Sequence, residues 1–201
     1  MRRLHIFTDR MERLPTASVW EFECSRRHSW GGMIALHHAS HRYSKGLKHI
    51  VAASATPSME LWVEGVYKLR EQLPPDVLAV LKQHEAAGTT DSKDYQDAIE
   101  LLQSFAAMEE DPTVSTTMNG PSEMCVNGTL RTWSCVDQLH TICIPTLFTN
   151  GRMDEAHDAS VAPIFDKVNR VKWIQFANSS HVAFLEEPQR YPSIVSDLLD
   201  K

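Results

Sequence analysis

Apolar and polar positions divide the chain into stretches of different character. In residues 18–24, SVWEFEC, Val19, Glu21 and Glu23 alternate with Trp20, Phe22 and Cys24. That is the period-two pattern of a strand. A short polar helix is expected before it, at 7–14. The run SRRHSWGG follows, and then MIALHHAS, where Met33, Ile34, Leu36 and Ala39 predict a mostly buried helix. From Leu47, LKHIVAASA reads as a buried strand.

Between Met59 and Met118 the pattern becomes helical, with three or four amphipathic stretches and no strand signal. Pro74-Pro75 and Gly88-Thr89-Thr90-Asp91-Ser92 punctuate them. Pro75 suits the first turn of a helix, where no N–H is needed, and Ser92 suits the cap of the next. Strand-like sequence returns at ICIPTLFT, which runs into NGRMDE, and at VKWIQF, which runs into ANSSH. A last helix is expected over 188–199. Strands separated by helices predict an α/β fold with a mostly parallel sheet flanked by helices. The expected division is a core of 1–57 and 128–201 with a helical cap at 58–127. In such sheets the chemistry gathers where strands end.

Composition narrows the class. Of 201 residues, 42% are hydrophobic and 23% charged, as in ordinary globular domains. Twenty basic against 26 acidic residues leave a net charge of −6, so no nucleic-acid partner is expected. No apolar run reaches the ~18 residues of a membrane helix, so no membrane partner is expected. The start, MRRLHIFTDRMERL, lacks the apolar centre of a secretion signal. Cys24, Cys125, Cys135 and Cys143 form neither a C-x-x-C nor a zinc spacing. A reduced, cytoplasmic protein is the expectation. His37, His38 and His41 share a helical spacing, but no carboxylate motif accompanies them, so no metal is expected. Trp62, Tyr67 and Trp133 are expected in the core.

Three predicted strand ends each carry one reactive side chain: Ser29, Asp154 and His181, in that order. This is the chain order of the α/β-hydrolase triad. A serine hydroxyl is a poor nucleophile near neutral pH. A histidine within hydrogen-bond reach can take its proton, and a carboxylate fixes the histidine's tautomer and stabilises its charged form. The N–H of Trp30, directly after Ser29, is the expected donor for half of an oxyanion hole.

The segments HSWGGMIAL, GLKHIV, HEAAGTTDS, DPTV, MNGPSEM, NGTLRTW, IPTLFTNGRMDEA and SSHVAFLEEPQRY, in this order, resemble the proline iminopeptidase branch of the α/β hydrolases. The resemblance runs from about residue 7 onward. It implies a partial α/β-hydrolase fold with an all-helical cap and a serine hydrolase that needs no cofactor. The implied substrate is a peptide or amino-acid amide with an N-terminal proline or another small residue. It implies Ser29 as nucleophile, Asp154 as triad acid and His181 as base. It also implies that Glu123 and Glu155 hold the substrate's free amine. A prolyl N-terminus is a secondary ammonium with two N–H donors, which two carboxylates can accept.

Three departures accompany the resemblance. Arg27 stands where the elbow has glycine, two residues before Ser29, and has to swing outward or relax the turn. No glycine-rich loop or set of strands precedes the elbow, so the strand before Ser29 is expected at a sheet edge, open to self-association. The cap is expected to be shortened. The alternative reading is therefore a catalytically impaired homologue that acts as a binding protein.

Overall fold

The computed structural model describes residues 24–42, 46–103, 126 and 128–199. Strands β1 (Cys24–His28), β2 (His49–Ala53), β3 (Thr146–Gly151) and β4 (Val171–Phe176) form one parallel sheet in the order β1-β2-β3-β4. Parallel neighbours need crossovers, and helices supply them. Helix α1 (Trp30–His41) joins β1 to β2. Helices α2 (Met59–Arg70), α3 (Pro75–Ala87) and α4 (Lys93–Gln103) and a 3₁₀ segment (Val136–Thr141) lie between β2 and β3. Helix α5 (Asp158–Lys167) joins β3 to β4, and α6 (Ala183–Glu186) and α7 (Arg190–Leu199) follow. The fold is the expected parallel sheet flanked by helices.

Strand β2 is apolar over 50–53 and β3 is buried at every position, because both faces of each are covered. Ile50, Ala52 and Phe148 belong to the larger core cluster. Val51 and Leu147 belong to a smaller one with Val195 of α7, sealed by Ile174, Tyr191, Ile194 and Leu198. Each such large side chain contributes about 1.5–3 kcal/mol when fully buried.

Strand β1 covers Cys24–His28 and meets the strand expected at 18–24 at Cys24. Residues 18–23, and the polar segment 7–14, lie outside the described residues. A strand this polar is tolerated because β1 is the edge of the described sheet and Arg27 is exposed.

Of the stretch expected to be helical, 59–103 carries α2, α3 and α4, and 104–125 lies outside the described residues. Pro75 opens α3, and α3 ends at Gly88 with φ 68°. Ser92 Oγ accepts the N–H of Tyr95 at 3.3 Å and so caps α4. These helices share the main core: Trp62 and Val66 of α2, Leu81 of α3, and Tyr95 and Ile99 of α4 pack in one cluster with Leu36 and Phe148. Arg70, 1% exposed, pairs with Glu85 at 2.9 Å, and the Tyr95 hydroxyl donates to the same carboxylate at 3.1 Å. One buried network therefore ties α2, α3 and α4. At Gly65, α2 meets α5 so closely that a Cβ would strike Ser160 Oγ. Trp62 and Trp133 are buried, as expected, but Tyr67 is 51% exposed. It sits about 100° round the helix from Val66, off the Trp62–Val66 ridge, and Arg70 covers its ring at 5.0 Å. No helix among the described residues is long and apolar enough to cross a membrane.

Candidate active site

The chain passes from strand to helix through one residue. β1 ends at His28, α1 starts at Trp30, and Ser29 between them holds φ 50° and ψ −124°. A non-glycine residue in such a conformation costs about 1–3 kcal/mol. The Ser29 N–H donates to Ala53 O at 2.8 Å, and Ser29 O accepts from Gly32 N at 2.8 Å and Met33 N at 3.1 Å. Gly32 is required here: a Cβ would stand 2.6 Å from that of Ala55. Arg27 does not clash in the turn. Its side chain runs outward along Gly31, where an added Cβ would meet it at an ordinary 3.5 Å. At the edge of the described sheet Arg27 is exposed.

Asp154 follows β3 and is 1% exposed. Its Oδ1 accepts the Ala156 N–H at 2.9 Å and its Oδ2 the Gly151 N–H at 3.3 Å. Asn150 braces this turn. Its Nδ2 donates to Ala156 O at 3.0 Å and to Asp158 at 2.9 Å, and its Oδ1 accepts from Trp173 Nε1 at 2.8 Å.

His181 follows β4 on a loop held from both sides. Ser180 donates to Glu186 through its N–H at 2.9 Å and its hydroxyl at 2.5 Å, and Ser179 donates to Glu187 at 2.9 Å. Met153 N–H donates to Ser179 O at 3.2 Å, which joins the Asp154 and His181 turns.

These three strand ends bring the predicted residues together. His181 Nε2 lies 2.9 Å from Ser29 Oγ, and His181 Nδ1 lies 2.8 Å from Asp154 Oδ1. A carboxylate can only accept, so the ring carries its proton on Nδ1 and offers the Nε2 lone pair to the serine. Trp62 of α2 packs edge-on against the His181 ring at 6.1 Å.

Glu155 lies beside the array, 2% exposed, with Oε2 3.5 Å from His181 Nδ1. Neither of its oxygens has a hydrogen-bond partner among the described residues. Burial pushes its carboxyl up to about 7; the nearby His181 opposes this and the Asp154 charge adds to it. Glu123, the other expected amine-binding residue, lies outside the described residues. Trp30, the expected oxyanion donor, is the first residue of α1.

Asp154, Glu155 and His181 are also the one His/Cys/Asp/Glu group among the described residues whose ligand atoms lie within 4.8 Å of one another. Nδ1, the ring atom nearest both carboxylates, already gives its proton to Asp154, which makes the group a hydrogen-bonded array. His37, His38 and His41 form no such group among the described residues. The rings of His37 and His41 stack at 4.1 Å, and burial lowers His37 to about 4. Sequence reasoning missed His28, Ser54 and Asn150. Their contacts are to main chain or across strands, and neither hydrophobic period nor motif marks them.

No protein-family model matches the chain. A proline iminopeptidase of Saccharolobus solfataricus is 30% identical over 190 residues, covering 87% of this chain and 61% of that protein. The chain spans 61–65% of the length of such curated relatives. Among solved structures, the proline iminopeptidase of Mycobacterium smegmatis matches with a TM-score of 0.85 and 32% identity, over 98% of this chain and 71% of that one. VinJ matches with a TM-score of 0.82 and 37% identity, over 98% and 70%.

Proposed function

The chain belongs to the proline iminopeptidase family of the α/β hydrolases, and from this premise we propose that it is a serine aminopeptidase. Its substrate is an amide or peptide bond next to a free N-terminal amine, with proline foremost at that position. The observation that carries the reading is the run Asp154 Oδ1, His181 Nδ1, His181 Nε2 and Ser29 Oγ, spaced 2.8 and 2.9 Å.

In this reading Ser29 Oγ attacks the substrate carbonyl carbon while His181 Nε2 takes the hydroxyl proton. Asp154 holds the ring in the required tautomer and stabilises the imidazolium that forms. Its carboxylate keeps its place because Gly151 and Ala156 donate to it. The Trp30 N–H stabilises the oxyanion at the helix start. The C–N bond breaks as the imidazolium returns its proton to the leaving amine. An acyl-Ser29 ester remains, and water hydrolyses it with His181 again as base.

Glu155 binds the substrate's ammonium. A carboxyl buried with no hydrogen-bond partner among the described residues is destabilised when charged, and a cation brought beside it reverses that cost. Glu123 is the proposed second acceptor. This pair makes the activity an exopeptidase, because an acylated N-terminus offers no cation.

The test is release of a fluorescent amine from prolyl amidomethylcoumarin by wild-type and Ser29→Ala protein, with N-acetylprolyl amidomethylcoumarin beside it. Turnover of the free-amine substrate alone, abolished in Ser29→Ala, is the expected result. Equal turnover of both substrates would make the protein a general esterase or amidase. Background rates from two folded proteins would favour a non-catalytic binding role.

A further inference from the structure

The main-chain carbonyl of His181 is held by two side chains that the mechanism above does not use. His28 Nε2 lies 2.7 Å from it, and Ser54 Oγ donates to it at 2.9 Å. A carbonyl oxygen only accepts, so His28 carries its proton on Nε2. The His28 ring also packs edge-on against the ring of His181 at 4.7 Å and of Phe184 at 5.1 Å.

Both donors hang from the two strand ends that hold the nucleophile in place. His28 is the last residue of β1 and directly precedes Ser29. Ser54 follows Ala53, whose carbonyl accepts the Ser29 N–H. The serine and the histidine backbone are thus located from the same two corners of the sheet.

Ser54 carries a second mark. Besides Ser29, it is the one non-glycine residue among the described residues with positive φ, at 52°. It is 2% exposed, and its N–H donates to Thr149 O at 2.7 Å. Glycine would relax this turn, and what glycine lacks is the hydroxyl that reaches His181. Backbone strain kept at a buried polar residue points to a role for its side chain.

We propose that His28 and Ser54 are positioning residues that fix His181 against Ser29 by donating two hydrogen bonds to its main-chain carbonyl. The proposal rests on the serine-hydrolase reading for its purpose and on the geometry alone for the clamp. Asp154 fixes the ring and the clamp fixes the backbone, so the position of Nε2 is set from both ends.

The test uses the full chain with Ser54→Gly, His28→Ala and His28→Gln. Glutamine Nε2 occupies the place of the histidine donor, so His28→Gln is the rescuing variant. Two readouts are taken: the rate at which a fluorophosphonate labels Ser29, and the downfield proton resonance of His181 Nδ1–H. Ser54→Gly and His28→Ala are each expected to slow labelling roughly tenfold and to shift or broaden the resonance. His28→Gln is expected to stay within about threefold of wild type, since it keeps the donor. Ser54→Gly is expected to melt no lower than wild type, because glycine relieves the turn. Wild-type rates with an unshifted resonance in Ser54→Gly and His28→Ala would overturn the clamp. So would an equal slowing in His28→Gln. A Ser29 that never labels, with a resonance that still responds to the variants, would overturn the serine-hydrolase reading and uphold the clamp.

Discussion

Gly151 lies directly against the main-chain carbonyl of Ser180. A Cβ built at 151 would strike the carbonyl oxygens of both Ser180 and Ser179, which are backbone atoms with no rotamer to move to. The end of β3 and the turn before His181 are therefore packed with nothing between them. The same Gly151 gives its N–H to Asp154. Gly151→Ala is expected to push the His181 turn away from the Asp154 turn. The predicted effect is a loss of about 1–3 kcal/mol in urea unfolding from overpacking. A fall of about a hundredfold in kcat should accompany it, since a shift of about 1 Å misplaces the base. A wild-type kcat in a folded variant would contradict this packing.

The sheet, its helical crossovers and the Ser29, Asp154 and His181 strand ends were legible in the sequence, because buried parallel strands read as apolar runs and each ends in a distinct turn. VKWIQF coincides with β4 to the residue. β1 was not legible. CSRRH has no apolar alternation, since its place at the edge of the described sheet lets Arg27 face out. Tyr67 was misread because an aromatic in an amphipathic helix fits either face until its neighbours are known. His28, Ser54 and Asn150 were invisible for a different reason: His28 and Ser54 act on a main-chain carbonyl, and Asn150 bridges elements that only the fold brings together, so no residue pattern marks them.

Asn150 shows how far support extends from the reacting atoms. It is fully buried, and its amide makes three hydrogen bonds that join β4 through Trp173, the turn through Ala156 and α5 through Asp158. Asn150→Ala strands those partners. The expected cost is about 2–3 kcal/mol, read as a lowered urea midpoint with unchanged m-value. Asn150→Asp keeps the acceptor for Trp173 but sets a carboxylate against Asp158. It should lose at least as much at pH 7 and recover when the pH is lowered. Equal stability of all three proteins would show that the brace carries no load.

The Arg70–Glu85 pair makes a prediction about the helical insertion. Arg70 is 1% exposed and Glu85 accepts from both Arg70 and Tyr95. Glu85→Ala leaves a buried guanidinium without its counter-charge, which costs about 3–5 kcal/mol. The double variant Arg70→Met, Glu85→Leu is expected to regain most of that, because the desolvation penalty goes with the charges. Because α2 to α4 share the main core, the loss should appear in a single cooperative melt of the whole chain, checked by calorimetry. A separate early transition for the insertion would contradict a shared core.

Glu155 opposes stability and, in the proposed reading, serves binding, so one substitution should move the two in opposite directions. Its carboxyl is raised from 4.5 to about 7, mainly by burial. A raised acid binds its proton more tightly in the folded state. Its contribution is therefore full below the unfolded value of 4.5 and is lost as pH climbs through about 7. Over that window the wild-type fold should lose about 3 kcal/mol from this group, at about 1.4 kcal/mol for each unit between the two values. Glu155→Gln removes the titration. It is expected to unfold at higher urea than wild type at pH 8, to match it near pH 4.5, and to flatten the slope between. The same variant should bind a prolyl amide ten- to a hundredfold more weakly, about the worth of one charge-assisted hydrogen bond, with the change in KM. Substrate binding to the wild type at pH 6.5 should release protons, since the ammonium draws the carboxylate form, and calorimetry in buffers of different ionisation enthalpy reads this directly. A variant less stable than wild type at pH 8 would make Glu155 a structural residue, and unchanged KM with no proton release would remove it from amine recognition.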